Sequence, residues 1–191
     1  NNKHFKIPED YFSNMEDIVE IIDGGTNPTG IYKWIKNYAA KNGRIEKISE
    51  FNQIYIPNDE NLITIILVDH QSLIRKESGL STKKEAIDKL SEYLQYARDF
   101  YGFSPVLVAQ MNRDIANPAY QKMDTFEPTP EQIKDSGTSF EDSDICMSLF
   151  DPVKFKTSAP TKHDANKLID MQTGAKYYRS LKIHKNTWGE D

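Results

Sequence analysis

Residues 62–69 read Leu62-Ile63-Thr64-Ile65-Ile66-Leu67-Val68-Asp69, an apolar, largely β-branched run that stops on an acid. An unbroken run of this kind predicts a strand buried on both faces, as in the middle of a parallel sheet. Open α/β sheets hold ligands beyond the C-terminal ends of such strands, so Asp69 falls where a carboxylate can act on one. In the Walker B arrangement an acid at this place holds Mg²⁺ beside a nucleotide. Taken alone, the same acid also ends many strands as a turn residue or helix cap.

Working back from this run, residues 18–22 form a short apolar strand candidate ending on Asp23, followed by the turn signal Gly24-Gly25. Asn27-Pro28 then has the N-cap and N1 chemistry of a helix start, Ile31, Trp34, Ile35 and Tyr38 fall on one helical face, and Gly43 is placed to end the helix. The β-prone stretch 44–61, with Phe51, Ile54, Tyr55 and Ile56, is longer than an ordinary connection and predicts an inserted hairpin.

Forward of Asp69, a polar turn over 75–80 and a Ser81/Thr82 cap lead into a helix with Ile87, Leu90, Leu94, Ala97 and Tyr101 on its buried face and Gly102 at its end. Residues 105–109 form the next buried strand, which ends at Gln110. Polar loops over 112–130 and 151–176 then flank a strand at 145–150, and a last strand is expected at 177–183. Strand, helix, strand, helix, strand is the rhythm of a parallel α/β sheet with right-handed crossovers.

The 191 residues suit one domain, and 28% charged with 38% hydrophobic residues is ordinary for a globular protein. A net charge of −5 argues against coating nucleic acid by bulk basicity and leaves room for a local basic loop. Cys146 is the single cysteine, so neither a disulfide framework nor zinc-ligand spacing is present, and a reducing, cytoplasmic setting is expected. No apolar run has the length of a membrane span, and no signal-peptide pattern opens the chain. A first residue Asn1 and an end directly after a strand candidate suggest a piece of something longer.

Three segments in order carry a family resemblance. Ile66-Leu67-Val68-Asp69-His70-Gln71-Ser72-Leu73-Ile74, Val106-Leu107-Val108-Ala109-Gln110-Met111-Asn112-Arg113, and Ile133-Lys134-Asp135-Ser136-Gly137-Thr138-Ser139-Phe140-Glu141-Asp142-Ser143-Asp144-Ile145 resemble the RecA-like motor domain of DnaB-type hexameric replicative DNA helicases, phage versions in particular. The resemblance spans roughly residues 18–189. It implies an α/β, RecA-like P-loop NTPase core, a mostly parallel sheet with flanking helices, in which residues 1–191 form a partial motor domain without the N-terminal P-loop strand. It also implies ATP and Mg²⁺ as cofactors, single-stranded DNA as partner and a homo-hexameric ring, in a bacterial or phage-infected cytoplasm.

Carried over position by position, the resemblance makes Asp69 the acid near Mg²⁺, which bridges the β- and γ-phosphates in phosphoryl transfer. Gln110 matches the γ-phosphate sensor, whose amide both donates and accepts. Asn112 and Arg113 lead from it into a loop able to move with it. Lys134, Asp135 and Gly137 match the central-channel loop that contacts DNA, where lysine supplies counter-charge and glycine permits close backbone approach. Lys134 stands where the family often has Arg, and Asp135 replaces Glu.

Lys185-Asn186-Thr187-Trp188-Gly189 is similar to the Lys-x-Arg-x-Gly segment that reaches a neighbour's nucleotide, with Lys185 matching and Thr187 standing where the finger arginine is expected. No Gly-x-x-x-x-Gly-Lys-Ser/Thr occurs, and Asp23-Gly24-Gly25-Thr26 lacks the P-loop lysine. His4, His70, His163 and His184 lack ligand spacing, and Glu141, Asp142 and Asp144 read as a loop-to-strand transition. Two other readings stand beside the helicase: a non-catalytic RecA-like scaffold or loader module, motivated by the missing P-loop and Thr187, and a RecA- or RadA-like recombination ATPase.

Overall fold

A computed structural model of the chain describes residues 18–23, 27–112, 128–133, 137–151 and 179–189. Helix α1 (Pro28–Asn42) starts as its sequence directs. Asn27 accepts the Gly30 N–H on Oδ1 at 2.8 Å, and Pro28 occupies the first turn, where no N–H is needed. Ile35 and Ala39 are buried and Ile31 and Tyr38 pack against them, whereas Trp34, expected on the same face, is half exposed. The buried stripe runs 31-35-38-39, and position 34 lies one residue, about 100°, off its centre.

Strands β1 (Gly43–Lys47) and β2 (Gln53–Pro57) form an antiparallel hairpin, in register from Gly43↔Pro57 to Lys47↔Gln53. Gly43 does not end α1 through a left-handed turn; its backbone is extended, and the Tyr55 ring and Ile56 carbonyl occupy the space a Cβ would take. Tyr55 in turn donates its hydroxyl to the Ala39 carbonyl at 3.0 Å and packs edge-on against Tyr101 and Phe103. Gly43→Ala is therefore expected to destabilise the fold by about 1–3 kcal/mol through overpacking. A urea titration checks it, and an unchanged midpoint would contradict this close approach.

Strand β3 (Ile65–Val68) leads through a 3₁₀ turn at Gln71–Leu73 to α2 (Lys83–Tyr101) and then β4 (Ser104–Leu107). Thr82 accepts the Glu85 N–H, and the Glu85 carboxylate accepts the Ser81 N–H at 2.8 Å, which holds its carboxyl below the usual range. Gly102, at φ 71°, closes the helix in the left-handed region. The expected face of α2 is buried: Ile87, Leu90 and Ala97 are fully enclosed, with Leu94 and Tyr101 nearly so. Burial among other aromatic rings raises the Tyr101 hydroxyl to about 12.

Helices α1 and α2 meet through stacked Tyr32 and Tyr93 rings, 4.3 Å apart, and through Glu77. The Glu77 carboxylate binds the Lys89 ammonium and accepts the Thr29 N–H and hydroxyl at 3.2 and 3.0 Å in the first turn of α1. The Lys89 hydrogen bond, then those of Thr29, lower its pKa.

β3 and β4 pair in parallel, from Ile65↔Ser104 to Val68↔Leu107, as the strand-helix-strand reading requires. The strand is shorter than residues 62–68, however, and it is not buried on both faces. Ile66 and Val68 pack toward the core beneath α2, while Ile65 and Leu67 are exposed on the other side. Helix α3 (Gly137–Asp142) precedes β5 (Ile145–Phe150), which pairs antiparallel with β6 (Ser180–Asn186). Among the described residues the sheet expectation is thus met in part: β3–β4 is the parallel pairing, beside two antiparallel ones.

Three expected strands differ: the one read over 105–109 and ending at Gln110 runs instead from Ser104 to Leu107. Residues 18–22 form none, and among the described residues no strand pairs with them; Ile18 and Ile21 are exposed. The last strand runs to Asn186 rather than Ile183, and Tyr177 and Tyr178 lie outside the described residues. No helix among the described residues is long and apolar enough to cross a membrane.

Candidate functional site

Because β3 and β4 are parallel, their C-terminal ends open on one edge of the sheet, and that edge carries Asp69 and Gln110. The backbone fixes the arrangement: Val108 N–H donates to Val68 C=O at 3.0 Å, and Gln71 N–H donates to Val108 C=O at 2.9 Å. The peptide between Asp69 and His70 is cis. Asp69 is exposed, and its carboxylate has no hydrogen-bond or ion-pair partner among the described residues. A free carboxylate at a strand end suits a hard divalent cation that takes its remaining ligands from phosphates and water. No cluster of three or more His, Cys, Asp and Glu side chains gathers among the described residues.

Gln110 Nε2 lies 3.2 Å from His70 Nε2, so the amide donates to the ring in its Nδ1-protonated tautomer. This contact was not legible in sequence, where His70 has no partner at helical or strand spacing. Its signal was adjacency alone: His70 follows the strand-end acid, and Gln110 lies three residues past the end of the neighbouring strand.

Beyond Gln110 the chain is tied to a distant segment. Met111 bridges antiparallel to Ile133, and Asn112 N–H donates to Gln132 C=O at 2.7 Å. Gln132 is itself buried and closes a capping box with Thr129, accepting the Thr129 N–H at 3.1 Å. The exit of β4 and the approach to residue 134 are thus one hydrogen-bonded unit. Arg113, Lys134 and Asp135 lie outside the described residues; Gly137 opens α3.

Lys185 is not brought to Asp69 and Gln110. It sits within β6, paired with Cys146, and its ammonium donates to the carbonyls of Phe140 and Glu141 at 3.3 and 2.6 Å, at the end of α3. Thr187 binds the Asp144 carbonyl through both its N–H and its hydroxyl. This region is moored to the middle and the C-terminal end of α2, where Ser91 donates to Asp142 at 2.6 Å and Arg98 holds Asp144 at 3.0 Å. The turn that follows Asp69 is tied instead to the start of α2, where the Lys83 ammonium donates to the Ser72 carbonyl.

Neither a protein-family model nor a curated protein matches the sequence. Solved structures do match. A DnaB-like replicative helicase, described with its interactions with primase, superposes on 99% of this chain with a TM-score of 0.60 at 15% identity. The chain shares its fold with DnaB-like helicases. The ATPase domain of a phage helicase matches 97% of the chain with a TM-score of 0.58, also at 15% identity. The chain spans 39% and 56% of the length of these two proteins, so it corresponds to part of the DnaB-like fold.

Proposed function

We propose that this chain is part of an ATP-dependent replicative DNA helicase, a motor that couples Mg-ATP hydrolysis to movement along single-stranded DNA. In this reading Asp69 holds Mg²⁺ directly or through water, and the ion neutralises charge on the β- and γ-phosphates when bound. Gln110 reads the terminal phosphate with an amide oriented by His70. Lys134, Asp135 and Gly137, with Arg113, face DNA in the channel of a homo-hexameric ring, and Lys185 acts toward a neighbouring subunit.

The observation that carries the proposal is the pairing of Asp69 and Gln110 on one sheet edge, with the chain beyond Gln110 hydrogen-bonded to the residues just before Lys134. A change in Gln110 has a short covalent and hydrogen-bonded route to the DNA loop. The site at Lys185 supports a second reading, a non-catalytic scaffold or loader module. Its ammonium is committed to α3 carbonyls, Thr187 replaces a charged finger, and no P-loop is present in the sequence.

A salt titration of single-strand binding by the complete ring separates the two. Phosphate contacts carry no base identity, and each neutralised phosphate on a single strand contributes about 0.7 to the slope of log affinity against log salt. Lys134→Ala is expected to weaken binding to all sequences alike and flatten the slope by about that amount. Unchanged affinity and slope would remove this loop from the DNA path and favour the scaffold.

A further inference from the structure

Gln110 stands on a short span of chain that the sheet does not hold. Strand β4 ends at Leu107, the Val108 N–H and C=O are bonded to Val68 and Gln71, and Met111 bridges to Ile133. Between those anchors the main chain of Ala109 and Gln110 makes no hydrogen bond among the described residues, and both residues are exposed. Backbone pairing therefore confines Gln110 to this span and leaves the direction of its amide open.

The His70 ring supplies that direction. Its own place is set by the next residue, whose N–H donates to the Val108 carbonyl at 2.9 Å. Residues 70–71 and 108–110 thus form a small closed circuit, joined through the backbone at one end and at the other by the 3.2 Å contact between His70 Nε2 and Gln110 Nε2. An amide nitrogen only donates, so Nε2 of the imidazole accepts and the ring proton sits on Nδ1. Nδ1 is buried and has no hydrogen-bond partner among the described residues, so the Gln110 amide is what decides the tautomer.

An exposed hydrogen bond between neutral groups adds little to fold stability, and the chain on either side of Gln110 is already anchored without it. What the contact does is commit one of the two amide N–H groups, leaving the other N–H and the carbonyl oxygen in a fixed plane at the edge that carries Asp69. A donor and an acceptor held in this way meet a phosphate oxygen and a water without first losing rotational freedom.

We infer that His70 is a positioning residue: through its Nε2 acceptor it holds the Gln110 amide in the orientation that meets the terminal phosphate of a bound nucleoside triphosphate. The part played by the phosphate rests on the motor reading above, whereas the tie between the two side chains does not. Two substitutions separate the ring atoms, because a Gln side-chain oxygen reaches the place of Nε2 and an Asn oxygen only that of Nδ1.

Two measurements on the complete polypeptide test this. In NMR of isotope-labelled histidine, at a pH well above the ordinary histidine pKa so that the ring is neutral, His70 is expected as the Nδ1–H tautomer in wild type and is expected to lose that preference in Gln110→Ala. In steady-state ATPase assays, His70→Ala and His70→Asn are expected to lower kcat about 10–100-fold with KM changed by no more than about twofold, and His70→Gln to restore most of the loss. His70→Ala added to Gln110→Ala should cost nothing further, since a residue that acts through another has no effect once the other is gone.

An Nε2–H tautomer in wild type would overturn the inference. So would equal losses in His70→Asn and His70→Gln, or additive losses in the double variant. The expected tautomer in a polypeptide that turns over no ATP supports the tie while counting against the motor reading; turnover with the other tautomer does the opposite.

Discussion

Asp69→Asn in the complete motor is expected to lower kcat for ATP by about 10²-fold or more, with a much smaller change in KM. The substitution keeps the size of the side chain and removes the charge that the proposed function assigns to Mg²⁺, so in that reading the loss falls on stabilisation of charge developing at the phosphates. Fold stability should hardly change, because the carboxylate is exposed and without a partner among the described residues. Steady-state ATPase kinetics with a parallel thermal melt check both halves. A wild-type kcat in Asp69→Asn would move the nucleotide away from this edge.

The second large effect is an absence of activity. The purified 191-residue chain is expected to turn over no ATP and to bind nucleotide only weakly, since phosphate affinity in a P-loop site comes mainly from clustered backbone N–H groups and a lysine that this sequence lacks. Turnover by this chain that is lost in Asp69→Asn would mean that a phosphate-binding loop of another kind is present within it.

The parts of the fold legible in sequence were those with local chemistry. The α2 helix had a Thr82 cap, an uninterrupted apolar stripe and Gly102, and all three act as read. The strand end at Asp69 was legible because an apolar run stops abruptly there, whereas the run before Gln110 outlasts its strand, which ends at Leu107. What failed depended on distant partners. Residues 62–68 read as doubly buried because both sets of alternate side chains are apolar, yet only one set is covered by the described residues. Residues 18–22 have strand composition and, among the described residues, no strand paired with them.

At the candidate site, the links His70–Gln110 and Asn112–Gln132 join residues tens of positions apart, which no spacing rule reveals. Lys185 was assigned from its motif, which says nothing of where its ammonium points. The strand runs on past Ile183, and antiparallel pairing sets Lys185 across from Cys146, within reach of the α3 carbonyls.

The central claim is that the edge holding Asp69 and Gln110 senses nucleotide and passes that state to the loop after Ile133. Its most direct test is single-strand DNA affinity of the complete ring, measured with ADP and with a non-hydrolysable ATP analogue, in wild type and Gln110→Ala. A coupling of about 5–150-fold between sites is the ordinary range. The account predicts a nucleotide-dependent affinity in that range for wild type and loss of most of the dependence in Gln110→Ala, with nucleotide still bound. An undiminished dependence in Gln110→Ala would contradict it.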